Sequence, residues 1–245
     1  MADGPPSLLL PPNFEARRLS AAEIASQPPL EYARAHAREL GAGALVWSEG
    51  QGCMSVAVVF EPDQPLGEAR WAFYAGMAAL AQAVTACAAP ERAVTIGWPD
   101  TLLYDGARLG GGTLLWPEGA AETSVPDWLV FGGDLIATRP DLPAPGAFPD
   151  SISLAEEEIG PLPRLIESFA CNLLRNVDTW TAVGRDAFAP HYLGRLVPAS
   201  DLSHAITPEG DLLERTAANV TVRRDLLPAL GRREWYDPAR AGPRW

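Results

Sequence analysis

Three clusters in this chain combine residue types and spacing that can do chemistry. The first runs Trp98-Pro99-Asp100-Thr101, then Asp105-Gly106, then Arg108 and Gly110-Gly111-Gly112. Pro99 halts a strand and orients the turn after it, and Asp-Gly between apolar runs predicts a tight hairpin. Arg108 opens the return strand. Its guanidinium can hold a carboxylate or phosphate bidentately and offset charge that develops during acyl transfer; the plainer reading is an Arg solvated on a hairpin. Glycines inside a strand weaken it and mark close approach of a ligand or another backbone. Gly110–Gly112 therefore read as a floor for a flat ligand or, alternatively, as a bulge or packing contact.

The second cluster, Ser48-Glu49-Gly50-Gln51-Gly52, can offer backbone amides to an anion but no cation. It fits a plain turn as well. The third is Cys53, which would need a depressed pKa to act as a nucleophile and has no cation beside it in sequence; a free Cys is more often buried and inert. Cys87 and Cys171 fall on apolar helical runs and are expected in the core on the same ground. His36, His191 and His204 lack a Cys or carboxylate at ligand spacing, so neither a metal site nor a Ser-His-Asp set is read.

Composition narrows the function classes. All 19 basic residues are arginine, so the chain has no lysine and no lysine-dependent mechanism can operate. Arginine does not replace lysine freely at a tight site. A formal charge of −12 with no clustered cations argues against nucleic acid. Three cysteines without metal spacing suggest a reducing compartment, and the start lacks a signal-peptide pattern, so a cytoplasmic location is expected. The uncharged run from Trp71 to Ala89 is mostly alanine and reads as a core helix, not a membrane span.

The elements that position these clusters follow from periodicity and punctuation. Residues 1–15 form a Pro-rich lead-in. Ser20-Ala21-Ala22-Glu23 is a capping box opening a short helix; Pro28-Pro29 breaks it, and a second helix runs from Leu30 to Leu40, stopped by Gly41. Strands are expected at Ala44–Ser48 and Met54–Phe60, with Glu49–Gly52 as a glycine loop between them. A helix from about Leu66 to Ala88 precedes the strand that ends at Trp98. Trp128–Ala137 is the next strand, and Arg139–Pro149 a linker. Ser153-Leu154-Ala155-Glu156 is a second capping-type helix start. Leu165, Phe169, Leu173, Val177 and Trp180 set helical periodicity over Leu162–Val183, with a shorter helix near Phe188–Leu196. Beyond Pro198, residues 204–206 and 211–214 pair as a hairpin around Thr207–Gly210. Hairpin-connected strands interrupted by two long helices indicate an α+β domain over residues 16–197, with 198–245 as a small C-terminal segment.

The Trp98–Gly112 stretch resembles the core motif of the biotin and lipoate protein ligases. There a Lys-Trp-Pro-Asn-Asp run precedes a hairpin whose return strand begins Lys-Leu-Ala-Gly. The Trp-Pro, the hairpin and Leu109-Gly110 match. Gly97 replaces the first lysine, Asp100 the asparagine, Thr101 the aspartate and Arg108 the second lysine. The resemblance covers roughly residues 15–197. It implies a fold like that of class II aminoacyl-tRNA synthetases and biotin synthetase: a mixed, largely antiparallel sheet flanked by helices, here with a short C-terminal appendage in place of a small barrel domain.

What the resemblance implies for function is a ligase-like enzyme. It would bind biotin, lipoate or octanoate and, with ATP, transfer the acid to a lysine of a biotinyl or lipoyl carrier domain. Arg108 would stand where the family contacts the acyl-adenylate, Gly110, Gly111 and Gly112 would floor the site, and Trp98 and Pro99 would shape it. Ser48, Gly50 and Gly52 would belong to a shortened ligand-covering loop. Asp100 adds negative charge where a triphosphate would sit, the loop has no arginine, and the net charge would repel the acidic carrier domains such ligases commonly dock. The alternative is a pseudoenzyme, a ligand-binding or regulatory relative that does not adenylate. A further alternative is acyl transfer through Cys53.

Overall fold

The computed structural model describes residues 8–140, 142, 144 and 146–245. The first seven residues of the Pro-rich lead-in, and 141, 143 and 145 of the linker, lie outside that description.

The chain opens with β1 (Glu15–Arg18), α1 (Ala21–Ser26), α2 (Pro29–Ala35) and α3 (Ala37–Leu40). The Ser20–Glu23 capping box forms. The single helix expected over 30–40 is two, divided at His36, where the backbone leaves helical geometry (ψ 14°). Then come β2 (Ala44–Gly50), β3 (Cys53–Phe60), α4 (Leu66–Ala69) and α5 (Trp71–Cys87). The helix expected over 66–88 is likewise interrupted, at Arg70, whose buried guanidinium reaches aside to Glu122 at 2.6 Å. β4 (Val94–Gly97), β5 (Thr101–Tyr104), β6 (Ala107–Leu115) and β7 (Leu129–Ile136) complete the strands of the main sheet.

That sheet has seven strands in the order β1-β2-β3-β7-β6-β5-β4. Every neighbouring pair is antiparallel except β1 with β2, which makes the sheet mixed and largely antiparallel. Strand β1 was not foreseen: its residues are all exposed, and an edge strand of four residues carries no alternating pattern to read.

The helices α6 (Leu162–Val183) and α7 (Arg185–Leu193) follow. On α6 the buried positions Leu165, Ile166, Phe169, Ala170, Leu173 and Trp180 recur at helical spacing and turn one stripe inward; Cys171, expected in the core, falls off that stripe and is exposed. α5 lies between that stripe and the sheet and is buried nearly all round, which explains its uncharged, alanine-rich sequence. Among the described residues no helix is long and apolar enough to cross a membrane. The expected helix at Ser153 does not form. Its side-chain bonds do, with Ser153 Oγ donating to Glu156 Oε2 at 2.6 Å, but the chain only turns, reaches φ +53° at Glu158, and enters α6 after Pro161.

The other face of the sheet has its own apolar cluster, in which Leu30 and Ala33 of α2 meet Val46, Ala57 and Val130. Past Pro198 lie β8 (Leu202–Ile206), β9 (Leu212–Thr216) and β10 (Thr221–Arg224), a small antiparallel sheet containing the expected hairpin, then α8 (Leu226–Arg232) and the short pair β11 (Tyr236–Asp237) and β12 (Gly242–Pro243). Tyr74 of α5 donates to Gly210 O and Trp71 Nε1 to Pro208 O, which pins the small sheet to the core.

Candidate functional site

Strand register gathers the site. Ser48 pairs with Ser55, Ser55 with Asp134, Asp134 with Gly111, and Gly111 with Thr101. Residues directly opposite on neighbouring strands point to the same face, so these positions form one polar row across β2, β3, β7, β6 and β5. They lie on the face away from α5. A side chain at Gly112 would run into Met77 Sδ of α5 at 2.6 Å, whereas one at Gly111 would meet the ring of Trp235, and successive strand residues face opposite sides. Sequence reasoning missed Ser55, Asp134 and Thr101 as partners. Each is a lone polar residue in an apolar strand, a visible signal, but only the register shows that they align.

The three glycines have three different reasons. At Gly110 a Cβ would clash with the Asp134 backbone, at Gly112 with α5, and at Gly111 with the Asp100 carbonyl and the indole of Trp235, whose Cε2 would lie 2.6 Å away. A flat ring does rest on the glycine strand, and it belongs to the chain itself. Trp235 is 1% exposed.

Asp100 borders this floor and is 3% exposed. Burial pushes its carboxyl up to about 7, against the pull of Thr101, the Trp235 N–H and the Arg233 cation. Trp235 Nε1 is close enough to Asp100 to favour its charge but short of hydrogen-bond geometry: Asp100 Oδ2, Trp235 Nε1 and Arg233 Nε are all buried and without a hydrogen bond. Burial also raises Asp134, which Ser55 and Arg233 draw down.

Arg108 is half-buried and its Nε donates to the Arg244 carbonyl at 3.0 Å. Burial, then the nearby Arg244 cation, lowers its pKa. Its own backbone bonds to residues 150 and 152, which extend the start of β6.

Ser48 and Gly50 border a cavity of about 30 Å³ with Cys53, Ser55 and Ala241. No loop covers it. The strand expected to end at Ser48 continues to Gly50, which pairs with Cys53. Only Gln51 (φ +53°) and Gly52 (φ +77°) remain as a turn, the two-residue hairpin with positive φ at both positions that matches strand twist. Cys53 is held up to about 12, by burial first and Asp134 second, which works against the thiolate that the acyl-transfer reading requires.

Trp98 and Pro99 are placed elsewhere. Trp98 lines a cleft of about 230 Å³ with His204 and Leu212 of the small sheet, and the Pro99 carbonyl accepts from Tyr192 at 2.7 Å. The structure thus joins Ser48, Gly50, Asp100, Arg108 and Gly111 to the floor or its border, and turns Trp98 toward the appendage. A further cavity, of about 480 Å³ and chiefly apolar, lies at the far end of β3 against α6 and is separate from this row.

A mixed seven-stranded sheet backed by α5 and α6 is a fold that solved biotin protein ligases share. Comparison with solved structures bears on this directly. A biotin protein ligase-like protein of unknown function from Silicibacter sp. TM1040 matches with a TM-score of 0.75 at 24% identity, over 91% of this chain and 99% of that one. Biotin protein ligase from Aquifex aeolicus matches with a TM-score of 0.62 at 10% identity, over 86% and 99%. The same ligase in complex with biotin and ATP gives 0.61 at 9%, over 87% and 95%. The profile of the biotin/lipoate A/B protein ligase family matches residues 10–194, and the chain belongs to that family. No curated protein sequence matches it.

Proposed function

We propose that this chain is a ligand-binding member of its family that does not adenylate. It would hold a small carboxylic acid with an apolar body, of the biotin, lipoate or octanoate class, on the polar row. The observation that carries this reading is Asp100, a buried carboxyl beside the glycine floor. A carboxyl there repels a triphosphate once ionised. No lysine exists to offset it, and Arg108, the cation opening β6, bonds to the Arg244 carbonyl while the C-terminal residues lie on this face. The turn at Gln51-Gly52 offers neither a cation nor the length to close over a nucleotide. Transfer to a carrier lysine would need ATP bound beside that carboxyl, which simple binding of the acid does not.

Calorimetric titration of biotin, lipoate and octanoate into the purified protein, each with and without Mg-ATP, tests the reading. One acid binding with an affinity indifferent to ATP is the expected result. Absence of binding by all three, or affinity that depends on ATP, would contradict it.

A further inference from the structure

We infer that residues 233–245 are a strap that occupies the ligand face of the sheet, and that a ligand reaches the polar row only when this strap lifts. The inference rests on the polar row being the ligand site, as proposed above.

The strap covers the row along its length. Trp235 lies on Gly111 at one end. Toward the other, Ala241 closes the small cavity over Ser48 and Ser55, and Gly242 packs so tightly on Cys53 that a Cβ there would stand 2.7 Å from Sγ. Between them Arg233 draws Asp134 down, and Tyr236 is raised by burial first and by Asp134 second. Arg108 fastens the far end through the Arg244 carbonyl, and Trp245 meets Phe148 edge-on. A flat bicyclic ring with an N–H toward Asp100 therefore sits where a ligand would lie.

The fit is tight in shape and poor in polar pairing. Trp235 Nε1, Arg233 Nε and Asp100 Oδ2 are buried together and none makes a hydrogen bond; each would regain a partner once water reached it. The strap also turns through left-handed backbone at two non-glycine positions, Arg233 (φ +42°) and Ala241 (φ +51°), a conformation L-residues adopt at a cost. Its strand pair is two residues long. A cover held through left-handed backbone and with unmade hydrogen bonds loses little when it is displaced.

The test uses the full chain. Gly242→Cys places a second thiol against Cys53, and diamide joins them, locking the strap; Trp235→Ala loosens it. Biotin, lipoate and octanoate are titrated into the wild type, the loosened variant and the locked variant before and after dithiothreitol. In parallel, N-ethylmaleimide labelling of Cys53 is followed by peptide mass spectrometry. Binding should vanish in the locked form and return on reduction. For a strap open about a tenth of the time, loosening should tighten affinity by up to about tenfold, with faster Cys53 labelling. Equal affinities in the locked and reduced states, or wild-type Cys53 labelling as fast as the exposed Cys171, would overturn the strap. If no form binds any acid while Cys53 is slow in the wild type and fast in Trp235→Ala, the strap stands and the acid-binding reading falls. Should Trp235→Ala fail to fold, the locked form and the wild-type labelling rate decide alone.

Discussion

At position 100 a carboxyl is buried beside a glycine and an indole, and its pKa of about 7 makes it a pH sensor for the fold. In the unfolded chain it titrates near 3.8, so between these values the native state keeps a proton that the unfolded state has lost. Stability then falls as pH rises from about 4 to 7, by up to about 1.4 kcal/mol per unit for one such group, and levels off above. Asp134 is raised as well and acts in the same direction. Urea unfolding at pH 5, 6, 7 and 8 should show this decline, and Asp100→Asn should flatten it by roughly one proton's worth; identical profiles for variant and wild type would contradict the assignment. Gly111 gives a second prediction at this scale. A methyl group there must displace the Asp100 carbonyl or Trp235, so Gly111→Ala should destabilise by about 3 kcal/mol or more in denaturant titration, at the upper end of overpacking costs. Gly106→Ala meets nothing within 4 Å and should pay only the left-handed strain of φ +83°, about 1–2 kcal/mol.

Among elements, those with a strong period or clear punctuation were legible. The α6 stripe and its bounds, the turn at Asp105-Gly106 and the capping box at Ser20 follow from side-chain spacing and backbone preference alone. Ser153 shows where that logic stops: its box forms, yet no helix follows, because the chain turns left-handed at Glu158 before Pro161. Gln51-Gly52 shows the converse, a loop by composition that pairing tightened into a turn. Gly52 sits at φ +77° with the Thr138 carbonyl 2.8 Å from where a Cβ would be. Gly52→Ala should therefore cost about 1–2 kcal/mol or more by thermal denaturation. A neutral effect would mean that the turn readily opens into the loop a nucleotide site needs.

For the whole molecule, what sequence could not supply was the long-range register. Ser48, Ser55, Asp134, Gly111 and Thr101 are spread over 87 positions and become one row only through strand pairing. Nor does any local pattern tell that Trp235, far beyond the family-matched region, returns to cover Gly111. Trp98 illustrates the same limit from the other side, because the motif that reveals the family serves here to seat the appendage as well. The central claim is that this family member binds without activating. ATP–pyrophosphate exchange with purified protein, run separately with biotin, lipoate and octanoate, addresses it most directly. No exchange with any of the three, in a folded sample and also in Trp235→Ala where the strap is loosened, is the predicted result; exchange with one acid, abolished in Arg108→Ala, would contradict it and show that an arginine can serve adenylation in this fold.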